Sequence, residues 1–183
     1  MYNILTLNKI AAVGTDKFDS AKYTVSDNCS APDAIMVRSA KMHDMEFSDN
    51  LLAIARAGAG VNNIPVDKCA EQGIVVFNTP GANANAVKEI ALCGLLMASR
   101  KIPEAMQWAQ TLKGSGAEVG KMVEKGKSNF AGCEIMGKTL GLIGLGAIGG
   151  KLANIAISLG MNVIGYDPFL SVGGARSLRP QVK

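Results

Sequence analysis

Apolar residues in the first eighty positions fall into short runs rather than strict alternation. They are NILTL at Asn3–Leu7, YTVS at Tyr23–Ser26, AIMV at Ala34–Val37, LAIARA at Leu52–Ala57 and IVVF at Ile74–Phe77. Runs of this length predict parallel strands covered on both faces. Between the last two, Pro65 to Gln72 predicts a helix, with Pro65 near its first turn and Gly73 just past its end. Strand and helix signals alternate, so the pattern predicts an α/β fold with a parallel sheet.

Asn85 to Ser99 carries the strongest helical pattern, preceded by the turn NTPGAN, with Asn83 or Asn85 as the cap. Beyond Lys88 and Glu89 it is apolar on nearly every side. This predicts burial, inside the monomer or between subunits, and places Cys93 in a core. Arg100 and Lys101 follow at its C-terminus, where positive charge is favourable. From Ile102 to Asn129 the chain turns polar, with helices expected at Pro103–Leu112 and Glu118–Lys125 and a break at residues 114–116. A second α/β unit follows: strand Thr139–Ile143, helix Ile148–Leu159 stopped by Gly160, strand Asn162–Tyr166. The domain boundary is expected near Met97, giving parts 1–97 and 98–183.

Composition narrows the function classes. The 183 residues are 48% hydrophobic and 19% charged, with 21 glycines, a globular profile suited to many strand-to-helix turns. A net charge of +4, spread along the chain, gives little support to nucleic-acid binding and fits an anionic small molecule as well. Cys29, Cys69, Cys93 and Cys133 form no paired motif, so neither a metal nor a redox centre is expected. The start lacks a signal peptide, and the longest apolar run is too short for a membrane span. A cytoplasmic protein without membrane contact is the expectation.

The stretch LGLIGLGAIGG (Leu140–Gly150) brings chemistry into the pattern. It is a G-x-G-x-x-G turn between a predicted strand and helix, the context in which such a turn binds a dinucleotide. Gly144 permits the tight turn, Gly146 lets a pyrophosphate approach the backbone, and Gly149 allows helix and strand to pack closely. Ala147 and Ile148 open the helix, where free N–H groups and the positive dipole end attract an anion. Asp167 ends the next strand, 18 residues beyond Gly149, and suits the acid that accepts from the ribose hydroxyls. Its charge opposes a 2′-phosphate and no arginine adjoins it, so NAD is expected over NADP.

RAGAGVNNIPVDKCAEQGIVVFNTPGANANAVKE (Arg56–Glu89), GKTLGLIGLGAIGG (Gly137–Gly150) and NVIGYDP (Asn162–Pro168) together resemble the D-2-hydroxyacid dehydrogenases. The resemblance implies two α/β domains flanking a cleft. One is a flavodoxin-like substrate domain, here lacking its C-terminal return, and the other a Rossmann domain of which the first βαβ unit is present. It implies that Arg38 in VRSA contacts the substrate's phosphate or carboxylate, as a guanidinium fork can. It further implies that Gly58, Gly60 and Val61 hold the substrate carboxylate through backbone N–H groups. Ala59 would then stand near the nicotinamide. Ala147 occupies a position where many members place an arginine on the pyrophosphate. Helices around residues 102–129 are implied to build a homodimer or homotetramer, with Trp108 either an anchor of it or packed within its own subunit.

The same resemblance places a catalytic histidine, arginine and glutamate in a part of the cofactor domain with no counterpart here. His43, the only histidine, lies in the wrong segment. The sequence therefore reads as the N-terminal part of a longer enzyme, with no catalytic residue of its own and no activity expected alone. A non-catalytic NAD-binding dimerisation module is the alternative, and a flavodoxin-like domain for another anion is a third.

Overall fold

The computed structural model describes residues 1–183, and the chain divides into two compact units, Met1–Ala82 and Asn83–Lys183. The sequence pattern draws the boundary near Met97. The difference is one helix, which packs on elements of the second unit.

The first unit is built from β1 (Tyr2–Leu7), α1 (Ala12–Thr15), β2 (Tyr23–Ser26), β3 (Ala34–Val37), β4 (Ala53–Arg56), α2 (Val66–Glu71) and β5 (Val75–Phe77). All strand pairs are parallel and the spatial order is β2-β1-β3-β4-β5, the flavodoxin-like arrangement. Each predicted strand is present within one residue of its expected ends. Helix α2 follows Pro65, which has no N–H to leave unpaired, and stops before Gly73, whose φ of +74° a side chain resists.

Register decides which side chains make the core. Leu5, Ile35, Ile54 and Val76 lie in one row across the sheet, and Met42, Leu51, Ile64, Cys69 and Ile74 pack on that face. The opposite row, Ile4, Ala34, Ala53 and Val75, belongs to a face that leaves Val75, Phe77 and Tyr2 exposed. The expectation of cover on both faces is therefore corrected. Both α2 and the long β3–β4 connection lie on the first face, and α1 buries no residue on the second.

The second unit comprises α3 (Ala84–Ser99), α4 (Ile102–Thr111), α5 (Val119–Gly126), β6 (Thr139–Ile143), α6 (Gly149–Ser158), β7 (Asn162–Tyr166) and α7 (Val172–Ser177). Helix α7 has no counterpart in the predicted pattern. Strands β6 and β7 pair in parallel, and Ala153 and Ala156 of α6 let the helix settle closely on Leu145, Met161 and Val163. The other face of the pair is open, with Ile143 93% exposed. Helix α3 packs on α4 and α6, but only Ala84 is fully buried and Ile90 is 74% exposed. Its predicted burial is thus not achieved within the chain, and Cys93 is exposed rather than core. Neither asparagine caps it. Asn83 makes no cap bond, and Asn85 instead donates to Glu89 and accepts from Lys88. No helix is long and apolar enough to cross a membrane.

Trp108 packs within its own unit, its ring 5.1 Å from that of Phe130. It covers Gly126 so closely that a side chain there would overlap the indole. The 3₁₀ turn Lys127–Phe130 brings Phe130 back to it.

Candidate functional site

Gly144 turns the chain out of β6 with φ +91°, and its N–H donates to the carbonyl of Tyr166 at 2.7 Å, tying the ends of β6 and β7 together. Leu145 drops its side chain into the core, against Gly165. Gly149 starts α6 directly beneath the turn, where an added Cβ would overlap the carbonyl oxygen of Gly144. A Cβ on Gly146 would meet nothing, so the backbone there faces open space. The N–H groups of Gly146, Ala147, Ile148 and Gly149 donate to no acceptor in the protein. They are the orphan donors of a helix start, gathered at its positive end.

Asp167 completes this turn. Its Oδ2 accepts the N–H of Leu145 at 2.8 Å and its Oδ1 accepts that of Phe169 at 2.9 Å. Each carboxylate oxygen keeps a further lone pair, so the group is fixed in orientation and can still accept from a ligand hydroxyl. Gly146, Ala147 and Asp167 line one cleft of about 540 Å³, together with Lys151, Asn154 and residues of the α7 segment. That size suits a small-molecule site. Asn154 shapes its far wall by donating to Ser177 and accepting from Arg179. Gly144, Ile148 and Gly149 belong to the turn but stand outside the lining.

The substrate-side residues of the sequence reading gather at the carboxyl ends of the strands in the first unit, the edge where open parallel sheets bind ligands. Arg38 follows β3, is exposed, and makes no hydrogen bond or ion pair. Asn8, at the end of β1 with φ +71°, accepts from the N–H groups of Ser39 and Ala40 at 2.9 and 2.8 Å, and so sets the chain beside Arg38. The loop Gly58–Val61 is held from β5. Thr79 N–H donates to Gly58 O, and the Asn78 amide donates to Ala59 O at 2.7 Å. The N–H groups of Ala59, Gly60 and Val61 remain without acceptors, whereas that of Gly58, expected to hold the carboxylate with them, instead donates to the Arg56 carbonyl at 2.9 Å.

Two residues of this edge are not anticipated by the motif reading. Asn8 lies in an unremarkable strand-end context, and only the β1–β3 pairing shows what it holds. Arg56 ends β4, with a buried Nε that has no partner. Its guanidinium occupies the space a Gly58 side chain would need. An arginine closing an apolar strand just ahead of a glycine loop is the signal that marks it. His43 bonds to the carbonyl of Asn62 at 3.0 Å, next to Val61, and lines a separate cavity with those two residues. Burial pushes the Cys69 thiol up, and nearby Lys68 opposes it.

This fold and this turn define a class of protein. Residues 13–166 match the family model of the D-isomer-specific 2-hydroxyacid dehydrogenase catalytic domain, and the chain belongs to that oxidoreductase family. It is 42% identical over 142 residues to D-3-phosphoglycerate dehydrogenase of Archaeoglobus fulgidus, covering 76% of this chain and 25% of that protein. It is 45% identical over 139 residues to hydroxypyruvate reductase of Thermotoga maritima, covering 74% of this chain and 42% of that one. Among solved structures, NAD⁺-bound 3-phosphoglycerate dehydrogenase of Entamoeba histolytica superposes with a TM-score of 0.67 at 26% identity, over 94% of this chain and 56% of that chain. The NADPH-dependent glyoxylate/hydroxypyruvate reductase of Sinorhizobium meliloti gives 0.74 at 25% identity, over the same shares. The chain thus spans a quarter to two-fifths of these curated relatives.

Proposed function

We propose that this chain is the cofactor- and anion-binding part of an NAD-dependent D-3-phosphoglycerate dehydrogenase. The whole protein would oxidise 3-phosphoglycerate to 3-phosphooxypyruvate, the entry to serine synthesis. In that reaction the C2 hydrogen leaves as hydride and the hydroxyl proton goes to a base. NAD supplies the hydride acceptor when bound. The chain's own residues do the holding. Asp167 accepts from the adenosine ribose and its charge disfavours a 2′-phosphate. The N–H groups of Gly146 to Gly149 receive the pyrophosphate, and those of Ala59, Gly60 and Val61 with the Arg38 guanidinium receive the substrate's anionic groups. These residues bind and orient the two ligands, and the base that takes the hydroxyl proton is not assigned to any of them. Assembly through the α4–α5 region into a homodimer or homotetramer is part of the same reading.

The observation that carries the proposal is the fixed Asp167 carboxylate beside four unpaired N–H donors. Titration of the 183-residue chain with NADH, with Asp167→Ala as control, tests it. Saturable binding lost in the variant is expected, and no binding at millimolar NADH overturns it. A second reading, reduction of glyoxylate or hydroxypyruvate, draws support from the 45% identity to the Thermotoga maritima reductase. Thermal shifts with 3-phosphoglycerate against glyoxylate or hydroxypyruvate separate the two.

A further inference from the structure

Arg38 and the Gly58–Val61 loop leave neighbouring strands side by side. Val37 and Arg56 are register partners, and the Ala57 N–H donates to the Val37 carbonyl at 2.8 Å. The two segments meet again at Asn63. Its side-chain amide donates to the carbonyl of Ala40 at 2.9 Å, and its own backbone carbonyl accepts the N–H of Met42 at 2.9 Å. Ala40 is thus held at both polar atoms, its N–H by Asn8 and its carbonyl by Asn63. On the loop side the Ile64 N–H donates to the Val61 carbonyl at 2.9 Å, so Asn63 sits in the turn that ends the loop. A closed frame results, with Arg38 on one limb and the free N–H groups of Ala59, Gly60 and Val61 on the other. Asn63 is also the one polar residue buried in the chain, 9% exposed, and its Oδ1 has no partner. An apolar side chain of similar size would avoid burying that oxygen, so the core alone does not account for an asparagine here.

We infer that Asn63 is a positioning residue for the substrate: by bracing Ala40 it sets the Arg38 limb against the N–H groups of Ala59, Gly60 and Val61, and so selects an acid that carries a second anionic group. The inference rests on the reading of this edge as the substrate site. The guanidinium fork holds one anion and the N–H cradle holds the other. An acid that spans both gains from a fixed spacing, because its second group binds at high effective concentration once the first is held. A single anion takes either place alone and is indifferent to the spacing. Asn63 acts through Arg38 rather than by touching the ligand.

The test is the affinity of the full chain for 3-phosphoglycerate and for inorganic phosphate, read by NMR titration in the native protein and in Asn63→Ala. Thermal unfolding first fixes a temperature at which both are folded. If Asn63→Ala does not fold, Asn8→Gly decides instead. It releases the same Ala40 from the β1 side, and glycine accepts the φ of +71° at that position. The expected result is about tenfold weaker 3-phosphoglycerate binding, with phosphate binding changed by less than about twofold. Equal losses for the two ligands overturn the inference, by reducing Asn63 to a support of the loop. Unchanged 3-phosphoglycerate binding overturns it too and leaves the substrate reading standing. No saturable 3-phosphoglycerate binding by the native chain overturns the substrate reading and the inference together.

Discussion

The carboxylate of Asp167 accepts the backbone N–H of Leu145 at 2.8 Å, across 22 residues of sequence. The acid assigned to the cofactor is therefore also the clasp of the glycine turn. Asp167→Ala should remove NADH binding and destabilise the second unit by about 1–3 kcal/mol, the cost of leaving a partly buried donor unpaired. Asp167→Asn keeps one acceptor oxygen and should recover part of the stability but little of the binding. Calorimetric titration beside thermal unfolding checks both. Asp167→Ala that binds NADH normally would refute the assignment.

Gly146 and Gly149 should separate binding from folding. Alanine at 149 meets the Gly144 carbonyl oxygen, and a backbone atom cannot step aside cheaply, so a loss of about 1–3 kcal/mol is expected. Alanine at 146 meets nothing in the protein, at a φ that alanine accepts. Its fold should be unchanged or stabilised by about 0.4–1 kcal/mol while NADH affinity falls, because the methyl fills the space reserved for the diphosphate. Melting curves and NADH titrations of the two variants would show it.

Arg38 is exposed and unpaired, so Arg38→Ala should change stability by less than about 0.5 kcal/mol and abolish the thermal shift given by 3-phosphoglycerate. Gly58→Ala acts on the same edge in two ways, by straining a backbone held at φ +156° and by displacing the Arg56 guanidinium. It should weaken the same shift and cost about 1–3 kcal/mol of stability. A full shift in both variants would remove this edge from the site.

The thiols give a pH test. Burial raises the Cys69 pKa in the fold, so the fold holds its proton more tightly than the unfolded chain does. That contribution is complete below the unfolded thiol value of about 8.5 and is lost as pH rises through the folded value. The stability of the native chain should therefore fall more steeply above that pH than that of Cys69→Val. At neutral pH a thiol reagent should label exposed Cys93 and Cys133 at once and Cys69 only after unfolding.

Much of the fold was legible because its signals are local. Every predicted strand is present, since a parallel strand is a short apolar run and Gly or Pro marks its ends. The glycine turn and Asp167 were legible for the same reason, each being defined by its distance along the chain from a strand end. Helix α7 escaped because VGGARS has no apolar period and carries two helix-disfavouring glycines, and its N-cap bond from Gly174 to Ser171 becomes visible only in three dimensions.

The sequence by itself determined the strand and helix content, the parallel sheet and the spacing that sets a carboxylate after a dinucleotide-type turn. These follow from backbone preference and periodic burial, which act over a few residues. Only the tertiary structure decided that one sheet face stays open, that α3 is exposed, that Asn8 arranges the chain at Arg38 and that Arg56 lies under Gly58. It alone showed Asp167 engaged by Leu145. Each of these depends on which side a connection passes or which strand ends become neighbours. Pairing across the sheet sets that choice, and no window along the chain contains it.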